Sequence, residues 1–303
     1  MLLRLGLLGS GVQKSRMPRL QMHLAETIGI ALSYALLDEA DSADFDAGDK
    51  VIQLISEGFQ GINVTHPFKQ RVHKLVSSSL IPGHEKIGSY NTLKFSGSDI
   101  YGANTDYLGF IQAYQYRRGA LAPGKVFLAG AGGVGRAVAC ALADLGCDEI
   151  YIYDVLASQS DSLALHLQKR GVRVKVVNEY DKDSYIVSSD GLVNCTNIGM
   201  SQYPGTPFNP ALINTQEWAF DAIYTPIETT FITNARESGL ACISGFLLWL
   251  FQGLEAFMIF TGTKIQLEQE LLDTVLGWFD PMSDRVAEQL LQPTNLLRNP
   301  ANG

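Results

Sequence analysis

The stretch that most constrains this chain is residues 125–154, KVFLAGAGGVGRAVACALADLGCDEIYIYD. An apolar run of strand length meets Gly130-x-Gly132-x-x-Gly135, a helix-compatible segment follows, and a second β-prone run ends on Asp154. Strand, glycine turn, helix and acidic strand end, in that order, make a βαβ unit of the dinucleotide-binding kind. Gly130 permits the tight turn, Gly132 lets the backbone approach a pyrophosphate, and Gly135 lets helix pack closely on strand. The segment Ala131, Gly133 and Val134 then opens the helix, whose free N–H groups face the phosphates. Asp154 accepts hydrogen bonds from an adenosine ribose and repels a 2′-phosphate, which favours NAD over NADP. It also suits an N-cap ahead of a helix over Leu156–Leu167, and the two roles are compatible.

Around this unit, apolar runs of strand length alternate with helical periods as far as about residue 245, the pattern of parallel sheets with crossover helices. The reading is α/β with two domains: an open α/β substrate domain and a Rossmann-type dinucleotide-binding domain. Strands are predicted at Leu3–Leu8, Ser33–Leu37 and Gly61–Thr65, with helices near Pro18–Gly29 and Lys50–Glu57 and a hairpin over Ser89–Tyr101. After a linking helix at Leu108–Arg117, the Pro and Gly of LAPGK mark a boundary. Later strands fall near Glu149–Tyr153, Val172–Val176, Gly191–Cys195 and Trp218–Ala222. Helices at Phe246–Phe260 and Ile265–Trp278 follow and are expected to return to the first domain. That assigns 1–107 with 246–303 to the substrate domain and 108–245 to the NAD-binding domain. The Pro- and Asn-rich tail from Gln292 is expected to be disordered.

Composition removes several classes of function. With 23 basic against 31 acidic residues the net charge is −8, and no segment gathers Lys or Arg, so neither nucleic acid nor an anionic membrane surface is an expected partner. Phe246–Phe260 is apolar, but it is shorter than the roughly 20 residues of a span and carries Gln252 and Glu255. Cys140, Cys147, Cys195 and Cys242 form no CxxC pair, which suits a reducing cytoplasm. His23, His66, His73, His84 and His166 have no ligand spacing with acids or cysteines, so no metal is expected.

A bound dinucleotide implies hydride transfer, and taking hydride from an alcohol carbon requires a base for the hydroxyl proton. The first domain offers two groups at the ends of turn-rich segments: Lys69 in GINVTHPFK and Asp106 in GANTD. A lysine near a helix start gains nothing from the helix dipole, so Lys69 is an odd choice for stability alone, although a solvated lysine fits those nine residues equally well. His66, on the same turn, is expected to face solvent.

The ordered set GINVTHPFK, IGSYNTL, GANTDYLGF, GAGGVGRA, VNCTNIGM, IYTP and FQGLEAF resembles the shikimate/quinate dehydrogenase family along nearly the whole chain. The resemblance implies reversible oxidation of a ring hydroxyl of a polyhydroxylated cyclohexene or cyclohexane carboxylate, in a cleft between the domains. It implies Lys69 and Asp106 as catalytic pair, and Asn63, Thr65, Asn91 and Gln252 as the set that grips ring hydroxyls. Tyr224 and Ser15 are implied near the substrate carboxylate, and Thr196, Asn197, Gly199, Met200 and Gly245 along the nicotinamide. Where the family commonly has a second hydroxyl residue before Pro18, this chain has Met17, which cannot donate. Either Lys14, Arg16 or Arg19 compensates or the preferred acid differs, and restoring Ser or Thr at Met17 is expected to improve activity on shikimate and quinate. Where NADP-using members show Asn-Arg-Thr or Asn-Arg-Ser, this chain reads Asp154-Val155-Leu156, which again favours NAD. The expected partner is one small ring carboxylate, with the protein a monomer or homodimer. The rival readings are a relative acting on a different, for example amino-substituted, ring acid and a dinucleotide-binding regulator without turnover.

Overall fold

The computed structural model describes residues 2–42 and 44–279, in two compact units. The first comprises the described residues up to Asp106 together with Gln252–Val275, and the second comprises Tyr107–Phe251 with the described residues from Leu276. The tail expected to be disordered from Gln292 lies outside the described residues.

In the first unit the strands are β1 (Leu3–Gly9), β2 (Leu32–Asp38), β3 (Gly61–Val64), β4 (Ser78–Ser79), β5 (Thr92–Ser96) and β6 (Asp99–Ala103), and they form one mixed sheet in the order β2-β1-β3-β5-β6-β4. β1 pairs in parallel with β2 and β3, and the hairpin β5–β6 then joins β3 antiparallel. The hairpin turns at Gly97, whose φ of 60° is left-handed. Helices α1 (Met17–Thr27) and α2 (Ala47–Ser56) cross between the first three strands. α2 begins three residues ahead of the predicted Lys50 because Asp46 caps it: Oδ1 accepts from the N–H of Gly48 at 2.6 Å and of Asp49 at 3.1 Å. One core lies between the sheet and α2, around Leu8, Val51, Leu54, Ile62, Phe68 and Leu93.

Helix α3 (Thr105–Arg118) leads into the second unit. There β7 (Lys125–Ala129), α4 (Gly133–Asp144), β8 (Glu149–Tyr153), α5 (Ala157–Gln168), β9 (Val174–Val176), α6 (Lys182–Val187), β10 (Gly191–Asn194), β11 (Trp218–Asp221), α7 (Thr230–Glu237) and β12 (Ala241–Ile243) alternate. The six strands form an all-parallel sheet in the order β12-β11-β10-β7-β8-β9. The order reverses direction between β7 and β10, which is where a doubly wound sheet opens a crevice beyond its strand ends. β12 has no counterpart among the predicted strands: its three residues are too few to show a period before the apolar α8 (Gly245–Thr261) begins.

Among the described residues the last helix is α9 (Gln269–Leu276), shorter than the predicted Ile265–Trp278. Residues 264–268 read Lys-Ile-Gln-Leu-Glu and alternate exposed with half-buried, a period of two that does not suit a helix, and they lie ahead of it. Among the described residues no helix is long and apolar enough to cross a membrane, and no cluster of His, Cys, Asp or Glu could hold a metal ion.

Candidate functional site

In the second unit the loop after β7 carries the glycine turn. Gly130 has φ 96°, and a Cβ there would lie 2.6 Å from the carbonyl carbon of Cys195, so both conformation and space require glycine. At Gly135 a Cβ would lie 2.0 Å from the Gly130 oxygen, so α4 can approach β7 this closely only without a side chain. Gly132 differs from both: its φ of −70° suits any residue, and no heavy atom lies within 4 Å of a Cβ built there. Nothing in the protein requires glycine at that point, and open space over exposed backbone at a helix N-terminus is what a pyrophosphate needs. Gly133 and Val134 form the first turn of α4, and the turn fits a dinucleotide.

Asp154, just past β8, is half-buried. Its Oδ2 accepts from the N–H of Ala131 at 2.7 Å, which braces the glycine turn, and its Oδ1 accepts from the N–H of Leu156 at 2.9 Å. Each oxygen keeps a lone pair for a ribose hydroxyl. The bond to Leu156 is a local turn ahead of α5, whose N-cap residue is Leu156 itself, so Asp154 serves the helix start from two residues before the cap and is not the N-cap.

Beyond β10, Asn194 organises the segment of Thr196, Asn197, Gly199 and Met200. Its Oδ1 accepts from the N–H and the hydroxyl of Thr196 at 2.9 and 2.7 Å, while its amide donates to the carbonyl of Ile198 and to Asp221 Oδ1, both at 3.0 Å. Asn197 accepts from the N–H of Met200, and Gly199, at φ 118°, donates to the carbonyl of Tyr203. Fully buried Asp221 also accepts from the N–H of Ile223 and the hydroxyl of Thr229, and burial pushes its pKa up to about 7 against these hydrogen bonds. Asn194 lies within the quoted VNCTNIGM, yet neither it nor Asp221 was expected to matter; a buried Asn and Asp at neighbouring strand ends was the available signal. Gly245 has a packing reason for being glycine, since a Cβ there would lie 2.4 Å from the Ile223 oxygen. Tyr224 stacks on Trp249 with centroids 5.8 Å apart and planes at 22°.

The first unit holds the other predicted residues. Lys69 stands in the turn of residues 66–70, ahead of a short 3-10 segment, rather than in the start of an α-helix. It is buried, and its Nζ donates to Asp106 Oδ2. Asp106, also buried, lies in the first turn of α3, where the helix dipole favours a carboxylate. A buried ion pair contributes little to stability on balance, so its presence points to chemistry. His66 is exposed.

Asn91 lies beside this pair in the fold of the chain: its Oδ1 accepts from the N–H of Thr105 at 2.7 Å. A backbone N–H can only donate, so the amide oxygen must face it and the NH2 group faces away, where it makes no hydrogen bond among the described residues. Gln252 presents its Oε1 to the Thr105 hydroxyl at 3.3 Å. Thr65 packs its methyl toward Gly9 and leaves its hydroxyl without a hydrogen bond among the described residues. Asn63 donates to Thr92 Oγ1 at 3.1 Å and accepts from the hydroxyl of Tyr34 at 2.8 Å, which leaves its Oδ1 one further lone pair. Tyr34, Thr92 and Thr105 were not foreseen as members of this network.

Two predicted positions serve the packing and local turns of the fold. Ser15 Oγ accepts from the N–H of Met17 at 3.2 Å, a local bond at the entry to α1. Met17 is 4% exposed, with its sulfur 3.5 Å from the Gln21 amide and its end packed against Gly253 of α8. Its side chain fills the seam between α1 and α8, which the pattern of hydroxyl residues around Pro18 could not reveal.

The chain is similar to known proteins along most of its length. Residues 7–93 match the family described as the shikimate dehydrogenase substrate binding domain. A shikimate dehydrogenase (NADP(+)) of Streptomyces avermitilis is 32% identical over 272 residues, covering 88% of this chain and 93% of its own length. A quinate/shikimate dehydrogenase (NAD(+)) of Corynebacterium efficiens is 32% identical over 275 residues, covering 88% and 95%. Among solved structures, the quinate dehydrogenase of Corynebacterium glutamicum in complex with NAD superposes with a TM-score of 0.83 at 30% identity, covering 91% of this chain and 99% of that one. With a paired lysine and carboxylate in one unit, a dinucleotide turn in the other and this likeness along most of its length, the chain belongs to the shikimate/quinate dehydrogenase family of NAD(P)-dependent oxidoreductases.

Proposed function

We propose that this chain oxidises, reversibly, one ring hydroxyl of shikimate, quinate or a related hydroxylated ring carboxylate, with NAD preferred over NADP. The observation that carries the reading is the buried Lys69–Asp106 pair set among amide side chains that keep hydrogen-bonding capacity in hand. The unit of Met1–Asp106 with Gln252–Val275 takes the ring acid, and the unit containing β7–β12 takes the dinucleotide. Bound nicotinamide supplies the hydride acceptor. The chain's own groups manage the proton: the Lys69–Asp106 pair takes it from the reacting hydroxyl on oxidation and returns it on reduction. Asn91, Thr65, Asn63 and Gln252 hold the other ring hydroxyls and so fix which carbon presents its hydrogen.

At the strand end of β8, Asp154 receives the ribose hydroxyls, and the exposed Val155 and Leu156 beside it offer no cation to a 2′-phosphate. A second carboxylate, Glu179, accepts from the hydroxyl of Tyr153 but is paired with Lys182 at 2.7 Å, so it adds no net charge there and the preference rests on Asp154. A buried Met17 in place of a hydroxyl keeps open the related reading of a different ring acid. Specificity constants measured with NAD and NADP against a panel containing shikimate, quinate and amino-substituted ring acids test the proposal. Reduction of NAD by one of these acids, at least tenfold more efficient than reduction of NADP, is expected. Equal constants for the two dinucleotides refute the cofactor preference, and no turnover with any acid refutes the activity.

A further inference from the structure

The edge strand β2 reaches the ring-acid site through one hydroxyl. In register, Tyr34 pairs with Leu5, and Leu5 with Gly61, while Leu7 pairs with Asn63, so all five lie on one face of the sheet. β2 and β3 are separated by β1, about 10 Å from one to the other, and a tyrosine is long enough to lie across the intervening strand. Its ring packs against the core cluster of Leu5, Ala256 and Phe260, a contact phenylalanine would make as well. The hydroxyl does something phenylalanine could not, because it donates to Asn63 Oδ1 at 2.8 Å. Burial raises the pKa of this phenol well above its ordinary value, so it remains a donor throughout the working pH range.

The direction of each bond at Asn63 can be worked out. The Asn91 carbonyl, 3.4 Å from Asn63 Nδ2, can only accept, so the amide nitrogen of Asn63 is on that side and its oxygen faces Tyr34. Asn63 also donates to Thr92 Oγ1, whose single proton has two acceptors in reach, Asn91 Oδ1 at 3.2 Å and the Thr105 hydroxyl at 3.3 Å. Asn91 Oδ1 is fixed by the Thr105 N–H at 2.7 Å, and the Thr105 hydroxyl lies 3.2 Å from that oxygen and 3.3 Å from Gln252 Oε1. The donors therefore run in one sense from Tyr34 through Asn63 to Thr92, while the Asn91 amide is oriented separately by the Thr105 N–H.

We propose that the Tyr34 hydroxyl is a positioning group for the ring acid, locking the amide of Asn63 in the orientation that meets a substrate hydroxyl. This rests on the reading that Asn63 grips the ring acid. Without the phenol, Asn63 Oδ1 is left buried without its donor, and the broad terminal torsion of an amide lets it turn in search of another.

The test is a kinetic cycle of Tyr34→Phe, Asn63→Ala and the double variant, with shikimate and quinate as probes at saturating NAD, alongside the KM for NAD and the melting temperature. Tyr34→Phe is expected to raise the ring-acid KM about 3- to 10-fold, the value of one hydrogen bond, with the KM for NAD unchanged and the melting temperature lowered by no more than the few degrees that one buried hydrogen bond accounts for. In the Asn63→Ala background the same substitution is expected to have no further effect, because the group it acts through is gone. An unchanged ring-acid KM in Tyr34→Phe overturns the proposal, as do effects that multiply in the double variant. A larger fall in melting temperature with both KM values raised alike makes the phenol a fold residue only and also overturns it. Should Asn63→Ala alone leave the ring-acid KM intact, the assignment of Asn63 to the substrate has failed, and the proposal falls with it.

Discussion

In the parallel sheet β7–β12 the dinucleotide turn is built from backbone, with two glycines shaped by the protein, one left open, and a carboxylate bracing the loop. In the mixed sheet β1–β6 the corresponding polar groups are side chains, brought from β3, β5, α3 and α8 and held by one another's hydrogen bonds. The difference follows from what each has to recognise. A pyrophosphate is met by N–H groups, which every residue except proline carries, so that site depends on where side chains are missing. A polyhydroxylated ring has to be told from its isomers, which takes donors and acceptors of fixed direction and hence amides whose orientation is determined by their neighbours.

The largest effect expected from breaking this contrast is on the side-chain site. Lys69→Ala removes the group proposed to handle the proton and should lower kcat by about 10²- to 10⁴-fold, while the affinity for NAD stays within about twofold because Lys69 belongs to the other unit. Fluorescence titration with NAD beside steady-state rates measures both; a loss of affinity as steep as the loss of turnover would move Lys69 out of the chemistry. On the backbone side, the glycines divide by cause. Gly135→Ala meets backbone at 2.0 Å and should compromise the fold of the unit. Gly132→Ala meets nothing within 4 Å, so it should leave thermal unfolding unchanged and weaken NAD binding by about tenfold or more through the methyl group alone. If Gly132→Ala binds NAD normally, the open space above it is not where the pyrophosphate lies.

This contrast also explains how much could be read in advance. The dinucleotide unit was legible because its determinants are contiguous: residues 125–154 contain strand, turn, helix and Asp154 in one run, and β8 lies at the predicted Glu149–Tyr153. Lys69, Asp106 and Asn91 are in motifs whose residue types suggest chemistry, but the hydroxyl of Tyr34 reaches Asn63 only because β2 and β3 flank β1, and no periodicity within β2 tells a tyrosine that positions a neighbour from one that merely packs. The start predicted for α2 is three residues late for want of weight on Asp46, and β12 is too short to see.

Met17 shows the same limit, and a smaller effect will sharpen it. By resemblance, a serine there should help hold a carboxylate; in the fold, the side chain is buried between α1 and α8. Met17→Ser should therefore cost about 2–4 kcal/mol of stability, the scale for truncating a buried methionine, without lowering the KM for shikimate or quinate. A variant of unchanged melting temperature with a tenfold lower KM would restore the expectation drawn from the family pattern.

The smallest effect concerns the wall behind the dinucleotide loop, where Asp221 joins Asn194 to Thr229. Its carboxyl is pushed from 3.8 up to about 7 by burial, so between about pH 4 and pH 7 the folded protein holds a proton that the unfolded chain has released. Stability linked to this group is complete below the unfolded pKa, declines as pH rises through about 7 with a slope approaching about 1.4 kcal/mol per pH unit, and is level above that. All three tryptophans, Trp218, Trp249 and Trp278, belong to the same unit as Asp221, so denaturant unfolding followed by tryptophan fluorescence reports on it. Asp221→Asn should remove the slope while keeping the contacts: its oxygen can accept from Ile223 and Asn194, and its NH2 group can donate to Thr229 Oγ1. The same slope in wild type and variant would assign the titration to another group; a wild type without slope from pH 5 to 7 would mean that the three hydrogen bonds keep Asp221 ionised despite its burial.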